Sequence, residues 1–417
     1  MEKLKIAAIY GADAVYIGAP AFNLRTRTEN FTLDEIRSAA RFLHEKGKKL
    51  YVALNIFAKN SQLPEIKEFL KEISDIPINA LIVSDPGVLS IVQDVVPHIP
   101  VHFSTQANTT NVSSVQFWHK QGVKRVILAR ELSLNEIWEI NSNTDCDTEV
   151  FVHGAMCMSY SGRCLISSFM TGRSANLGDC AHSCRWKYSL VEETRPNERF
   201  PILEDENGSY ILSSKDLCMI QFVAELIKSG VTAWKIEGRM KSQYYVAAVT
   251  RIYREAIDTF NDEVIVKGNP DGFEFKKEWL EELNKISHRT YSTGFFFGNP
   301  VTEPASAEDD KNCGYIRECK YLGLVEDVKE NGLAKVMVKN KIRLGSDIEI
   351  MGQSTDQDFT QRINELYDIN KNPINEANPG QTVFLKTNKY VDKLFMIREL
   401  VISHWSLFKL CVTLCSL

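Results

Sequence analysis

Short, unbroken apolar runs alternate with amphipathic ones through the first 240 residues, and this alternation limits the fold more than any other feature. The apolar runs lie at 14–18, 49–57, 79–84, 101–105, 124–129, 149–153 and 232–237. A strand that is apolar on both faces must be covered on both, as parallel strands flanked by crossover helices are. Helix-period segments fill the intervals at 63–73, 87–96, 113–121, 134–141, 215–228 and 242–260. Thr32, with Glu35 three residues on, spells a capping box that opens another helix. Seven such strands are one short of a (β/α)8 barrel. The chain opens in a helix-period segment, 2–10, with no apolar run ahead of it. The expected fold is therefore an α/β, TIM-like (β/α)8 barrel that lacks its first strand, with an exposed edge beside 14–18. A seven-stranded open sheet is the alternative.

The pattern continues with a helix at 277–286 and breaks in the polar, acidic stretch 305–312. The barrel domain is accordingly placed at 1–304, with a cysteine-rich insertion at 154–214, and a linker at 305–313. From Gly314 the period changes to short alternating strands at 321–328, 333–338, 347–351 and 381–385, with Asn331-Gly332 as a hairpin turn. This predicts a small antiparallel β-barrel over 314–398. The tail 399–417 fits neither pattern. Its apolar stretch is shorter than the roughly 20 residues of a membrane span and holds His404 and Lys409, so no membrane segment is expected.

Charge excludes one broad class. Lys and Arg total 49 against 54 Asp and Glu, so the chain as a whole is no basic nucleic-acid binder, and any such surface must be local. The start of the chain shows no basic, apolar and small-residue export pattern, which points to the cytoplasm. In a reducing compartment, clustered cysteines mean metal or redox chemistry rather than disulfides.

Four of the ten cysteines fall close together: Cys157, Cys164, Cys180 and Cys184, in HGAMCMSYSGRCLISSFMTGRSANLGDCAHSC. The run follows the strand that ends at His153, on what would be the catalytic face of a barrel. Four thiolates satisfy a tetrahedral zinc or a [4Fe–4S] cluster. Only Cys180 and Cys184 approach the tight spacing of zinc sites, and the wider Cys157/Cys164 pair suits a cluster better. Zinc stays open as the alternative, and so do four inert buried thiols. Cys218 reads as core, with a displaced ligand as the alternative, and Cys146 has no partner at ligand spacing.

The same window carries Arg163, Arg173, Arg185 and Lys187 among Tyr160, Phe169, Trp186 and Tyr188. Cations interleaved with rings suit an RNA loop or a small anion. The arginines are equally able to cap helices and balance thiolate charge. Further rim candidates are Asn55, Asp85, Gln106, Arg130, His153 and the run Lys235-Ile236-Glu237-Gly238-Arg239, because polar groups that end apolar barrel strands are where such enzymes place chemistry. Catalytic roles would fall to His153, Glu237, Arg239, Gln106 and Asn55, and substrate binding to Arg163, Arg173, Arg185, Arg130 and Lys235. Glu237 with Arg239 also suits a structural ion pair, and His153 a backbone hydrogen bond. No GxSxG, HExxH or GxxxxGK[ST] motif is present, so the common hydrolase types gain no support.

GADAVYIG, the cysteine run through RWKY, and KIEGRMKSQYYV together resemble peptidase family U32, the collagenase-like proteases. The resemblance covers about residues 1–300, and 314–398 is similar to the family's C-terminal barrel. Members usually open with a strand like ELLAPAG, which has no counterpart here. The family name implies proteolysis. Its better understood branches imply oxygen-independent hydroxylation with a four-cysteine iron–sulfur cluster, on a tRNA wobble uridine with prephenate, on a ribosomal RNA cytidine, or on ubiquinone precursors. Cys157, Cys164, Cys180 and Cys184 match the RNA-modifying branches, whereas the ubiquinone branch lacks a match to Cys184. The C-terminal barrel is similar to those of translation factors, which favours tRNA. The resemblance thus implies a tRNA hydroxylase holding a [4Fe–4S] cluster, with a small anionic oxygen donor such as prephenate and a partner protein of the same family. Collagenase-like peptidase activity is the alternative.

Overall fold

The computed structural model describes residues 1–20, 22, 30–157, 159–177, 179–183, 189–192, 195–201, 215–269, 272–298, 316–329 and 332–400. Helix α1 (Glu2–Ile9) leads into β1 (Ala14–Gly18). Then come α2 (Leu33–His44), β2 (Lys49–Leu54), α3 (Leu63–Glu72), β3 (Ala80–Val83), α4 (Pro86–Val95) and β4 (Val101–Phe103). They are followed by α5 (Val112–Lys120), β5 (Arg125–Ile127), α6 (Leu134–Ser142) and β6 (Asp147–Ala155). The cysteine-rich insertion holds α7 (Ile166–Thr171) and the hairpin of β7 (Ser189–Glu192) with β8 (Arg195–Pro201). The barrel resumes with β9 (Asp216–Cys218), α8 (Val223–Lys228), β10 (Ala233–Ile236), α9 (Gln243–Phe260), α10 (Lys277–Asn284) and β11 (Tyr291–Ser292).

All seven apolar runs are strands of one sheet. The sheet runs β1-β2-β3-β4-β5-β6, each pair parallel, and β10 lies parallel to β6. Strands β3 and β4 are buried along their whole length, as two-sided covering requires. Thr32 and Glu35 form the capping box the sequence spells.

One expectation fails. Residues 215–228 do not form a single helix: β9 comes first, and only 223–228 are α-helical. Strand β6 extends past β10, and its upper edge at 153–155 would leave backbone groups unpaired. Strand β9 fills that edge, with His153 opposite Cys218, and β11 adds beside β9. Helix periodicity cannot register such a long-range demand.

The open edge lies where the strand count places it. Among the described residues β1 pairs with β2 alone, and β10 with β6 alone. Between them opens a cavity of about 1090 Å³, walled by α1, α9 and the two strand edges.

The C-terminal unit is a curled antiparallel sheet. It comprises β12 (Cys319–Val328), β13 (Leu333–Val338), β14 (Ile342–Arg343), β15 (Asp347–Met351), β16 (Phe359–Arg362), β17 (Leu366–Tyr367), β18 (Glu376–Ala377), β19 (Thr382–Lys386) and β20 (Met396–Leu400). The main sheet has the order β16-β15-β20-β12-β13-β19-β17, and β14 pairs with β18. The expected hairpin joins β12 to β13, with Gly332 at φ +75°. Five short strands escaped the sequence reading because two to five residues give alternation too little length to show. The linker 305–313 and residues 401–417 of the tail lie outside the described residues.

A buried ion network joins the two units. Arg398 of β20 forks onto Glu282 of α10 at 2.7 and 3.0 Å and also meets Glu349 at 2.9 Å. Arg251 of α9 reaches Glu282 at 2.8 Å and Asp358 at 2.7 Å. Lys285 bonds Glu282 and Glu349. The three carboxylates come close enough to suggest a cation site, but three basic side chains already neutralise them. No helix among the described residues is long and apolar enough to cross a membrane.

Candidate active site

The C-terminal ends of the strands form a polar rim. Just past β2, the Asn55 amide donates to Gln106 Oε1 at 3.0 Å, and Ser104 Oγ donates to the same oxygen at 3.2 Å. Gln106 sits in a single 3-10 turn beyond β4, after which Asn108 takes a left-handed φ of 54°. Past β5, Arg130 stacks on the Phe151 ring at 3.9 Å and donates to the Ala155 carbonyl at 3.3 Å. The insertion then folds over this rim.

Its cysteine loop is held by local bonds that the spacing of cysteines does not reveal. Glu131 accepts from both the N–H and the hydroxyl of Ser161, each at 2.6 Å, and thereby holds Ser161 at φ 42°. The Cys164 N–H donates to Asn176 Oδ1 at 3.2 Å. Arg173 spans Asp179 at 3.0 Å and the Cys180 carbonyl at 3.1 Å. The Ala181 N–H donates to Ser167 Oγ at 2.8 Å, and the His182 N–H donates to Cys180 Sγ at 3.3 Å. An N–H aimed at sulfur tunes any metal held there.

Cys164 is buried, and Cys157 and Cys180 are half-buried. Among the described residues, the sulfurs of these three do not all lie within 4.8 Å of one another. Tetrahedral zinc with bonds near 2.3 Å would draw them to about 4 Å. Three thiols with an N–H donor to one sulfur are donor groups that a cluster or a zinc ion can use. Cys184 and Arg185 lie outside the described residues.

The arginines divide. Arg163 donates from Nε to the Gln106 carbonyl at 3.1 Å and lies over the Phe57 ring at 5.2 Å, exposed on the rim. Arg173 is spent on the loop itself. Lys235, expected at the substrate, is instead 8% exposed and bonded to Glu149 at 2.8 Å, with Arg125 3.5 Å from the same carboxylate. Position 235 faces into the barrel between β6 and β1, so its charge is consumed by a buried partner. Burial tends to raise the Glu149 pKa, but Lys235, His102 and Arg125 together hold it below the ordinary carboxylate value.

His153 is 1% exposed, ringed by Tyr245, Tyr253 and Tyr291 at 5.5–5.8 Å between centroids. Burial, reinforced by Lys241 and His288, pushes its pKa down to about 3, so the ring is neutral. Its ring Nδ1 lies 3.5 Å from the Tyr253 hydroxyl. Glu237 and Arg239 follow β10. The Glu237 backbone crosses Gly154, whose φ of +119° and 2.8 Å clearance to Glu237 Cβ admit no side chain. Arg239 lies over Gly18 at the open edge and bonds Asn30. The structure thus gathers Asn55, Gln106, Arg163 and the cysteine loop into one place, and sets His153, Lys235 and Arg239 apart from it. Glu131 and Asn176 were missed by sequence reasoning. The only available signal was their position beside Arg130 and inside the cysteine run.

A family model described as peptidase family U32 matches residues 1–305, and one for the U32 C-terminal domain matches 317–398. The chain is 38% identical to tRNA hydroxylation protein P1 of Bacillus subtilis, over 96% of this chain and 92% of that one. It is 36% identical to tRNA hydroxylation protein P of Escherichia coli, over 86% of each. It is also 37% identical to the 23S rRNA 5-hydroxycytidine C2501 synthase of Escherichia coli, over 62% of this chain and 38% of that one.

Proposed function

The chain belongs to peptidase family U32, and from that premise we propose that it is an enzyme that hydroxylates RNA in the cytoplasm, converting a tRNA wobble uridine to 5-hydroxyuridine. The observation that carries the reading is the match along nearly the whole chain to a relative named for tRNA hydroxylation. The rim supports it: a pinned cysteine loop faces amides and an exposed arginine. Among the described residues no hydrogen bond joins a serine hydroxyl or cysteine thiol to the ring of His153, as a peptidase built on that histidine would need.

In this reading Cys157, Cys164, Cys180 and Cys184 hold a [4Fe–4S] cluster. Bound there, it supplies electron transfer to a reaction in which C5–H of uracil becomes C5–OH. That change is a two-electron oxidation of the base, matched by a small anionic donor of the prephenate class that gives up oxygen and takes the two electrons. Arg163 supplies charge for the RNA or the donor, and Asn55 and Gln106 fix the rim against which both sit. Glu131 and Asn176 keep the loop closed over that rim. Arg185 is assigned to RNA or donor binding by its place beside Cys184, and a partner of the same family is part of the proposal.

The test is mass spectrometry of tRNA nucleosides from a deletion strain carrying each variant. Replacing any of the four cysteines by Ala abolishes 5-hydroxyuridine, and Cys146→Ala leaves it at wild-type level. Unchanged tRNA in the deletion strain, together with cleavage of denatured collagen by purified protein, would install the peptidase reading instead.

A further inference from the structure

A cavity of about 380 Å³ opens on the rim between Phe57, Ser84, Pro86, Ala107, Trp118, Arg163 and Asn176. It stands apart from the larger opening beside β1, and it shares a wall with the cysteine loop, because Asn176 holds the Cys164 N–H. We propose that this cavity seats a single unstacked nucleobase of the RNA, and that Asn176 selects uracil over cytosine there. The inference rests on the RNA-hydroxylase reading and assigns its base subsite.

Size and lining agree with such a guest. A few hundred cubic ångströms holds a small ligand, and aromatic walls with few polar groups are the usual lining. Phe57 offers a ring face already used by a cation, with Arg163 5.2 Å above it. Trp118 is braced from behind by Phe103, at 3.9 Å between centroids, so it can present a rigid surface. Aromatic and guanidinium planes are what flipped-out RNA bases stack upon.

The polar groups define which base. Asn176 Oδ1 accepts a backbone N–H, a group that can only donate, so the orientation of the carboxamide is fixed. Its NH2 is what remains to face a ligand. Arg163 spends Nε on the Gln106 carbonyl and keeps its other N–H groups, which again only donate. Beside the Ser84 hydroxyl, which gives its hydrogen to the Ile56 carbonyl at 3.4 Å, the two donor groups of Asn176 and Arg163 match an acceptor edge. Uracil presents carbonyl oxygens there, whereas cytosine presents an amino group at the equivalent of O4 and would leave two donors opposed.

The experiment measures fluorescence anisotropy of a labelled hairpin RNA with the full chain, comparing hairpins that carry uridine or cytidine at the wobble position of the loop. Wild-type protein favours uridine roughly five- to hundredfold. Asn176→Asp keeps an oxygen for the Cys164 N–H but loses the donor, so the uridine preference collapses or inverts toward cytidine. Phe57→Ala weakens both hairpins about tenfold without changing their ratio. A thermal melt of Asn176→Asp matching wild type establishes that the loop anchor is intact. Equal affinity for the two hairpins in wild type, or an unaltered ratio in Asn176→Asp, overturns the assignment. A uridine preference that persists in a protein whose deletion leaves tRNA modification unchanged keeps the subsite and removes the hydroxylase reading.

Discussion

Glu131, the residue after Arg130 on the barrel rim, closes both carboxylate oxygens on Ser161 in the cysteine loop, each at 2.6 Å. Ser161 sits at φ 42°, a backbone state that a serine holds only when its surroundings enforce it. A charge-assisted bond is worth about 1.5–3 kcal/mol. Glu131→Ala is therefore expected to free the loop locally and leave the barrel folded. Hydrogen exchange read by mass spectrometry should speed up in peptides covering 159–183 and stay unchanged in β2, β3 and β4.

The cysteines should separate by chemistry. Burial pushes the Cys146 thiol up to about 11, where it faces the carbonyls of Val123 and Lys124, and pushes Cys218 up to about 12. Neither forms much thiolate near neutrality, and thiolate is the reactive form. In protein stripped of metal, iodoacetamide at neutral pH should label Cys157 and Cys180, which are half-buried, and spare Cys146 and Cys218. Rapid labelling of Cys218 would mean that the β6–β9 seam opens.

Lys235 tests the difference between a rim cation and an interior one. Lys235→Met leaves Glu149 buried with Arg125 as its nearest remaining cation, a loss of about 3–5 kcal/mol by analogy with broken buried pairs. Urea unfolding should show that loss, while RNA affinity measured well below the new melting temperature stays at the wild-type value. Arg163→Met should do the reverse.

The network between the two units sets an acid limit. Burial alone would raise the Glu282 pKa, but Arg398, Arg251 and Lys285 outweigh it and pull it from 4.5 to about 2. A depressed carboxylate contributes stability that is fully present above its unfolded value and is lost as pH falls through the folded one. The contribution of Glu282 should hold above about pH 4.5 and vanish between there and about pH 2. Stability measured across that window should fall less steeply in Glu282→Gln than in wild type, from a lower starting point. Parallel curves would assign the acid sensitivity elsewhere.

The parallel strands were legible because each carries its own covering demand: an apolar run such as 80–83 states that both faces are buried before any neighbour is known. The capping box at Thr32 and Glu35 is equally local. The cysteine run stands out as a candidate ligand set because thiol spacing and its place after a strand are properties of the chain alone. What only the tertiary structure decided is where charge is spent. Lys235 and Arg163 look alike in sequence, yet one lies beside Glu149, 86 positions away, and the other beside the Gln106 carbonyl, 57 positions away. His153 ends an apolar strand as a catalytic residue would, but three tyrosines from later segments close around it and hold it neutral. Periodicity records which face is apolar within one element. Coulombic pairing and desolvation depend on which elements meet, and that is fixed only when the chain has folded.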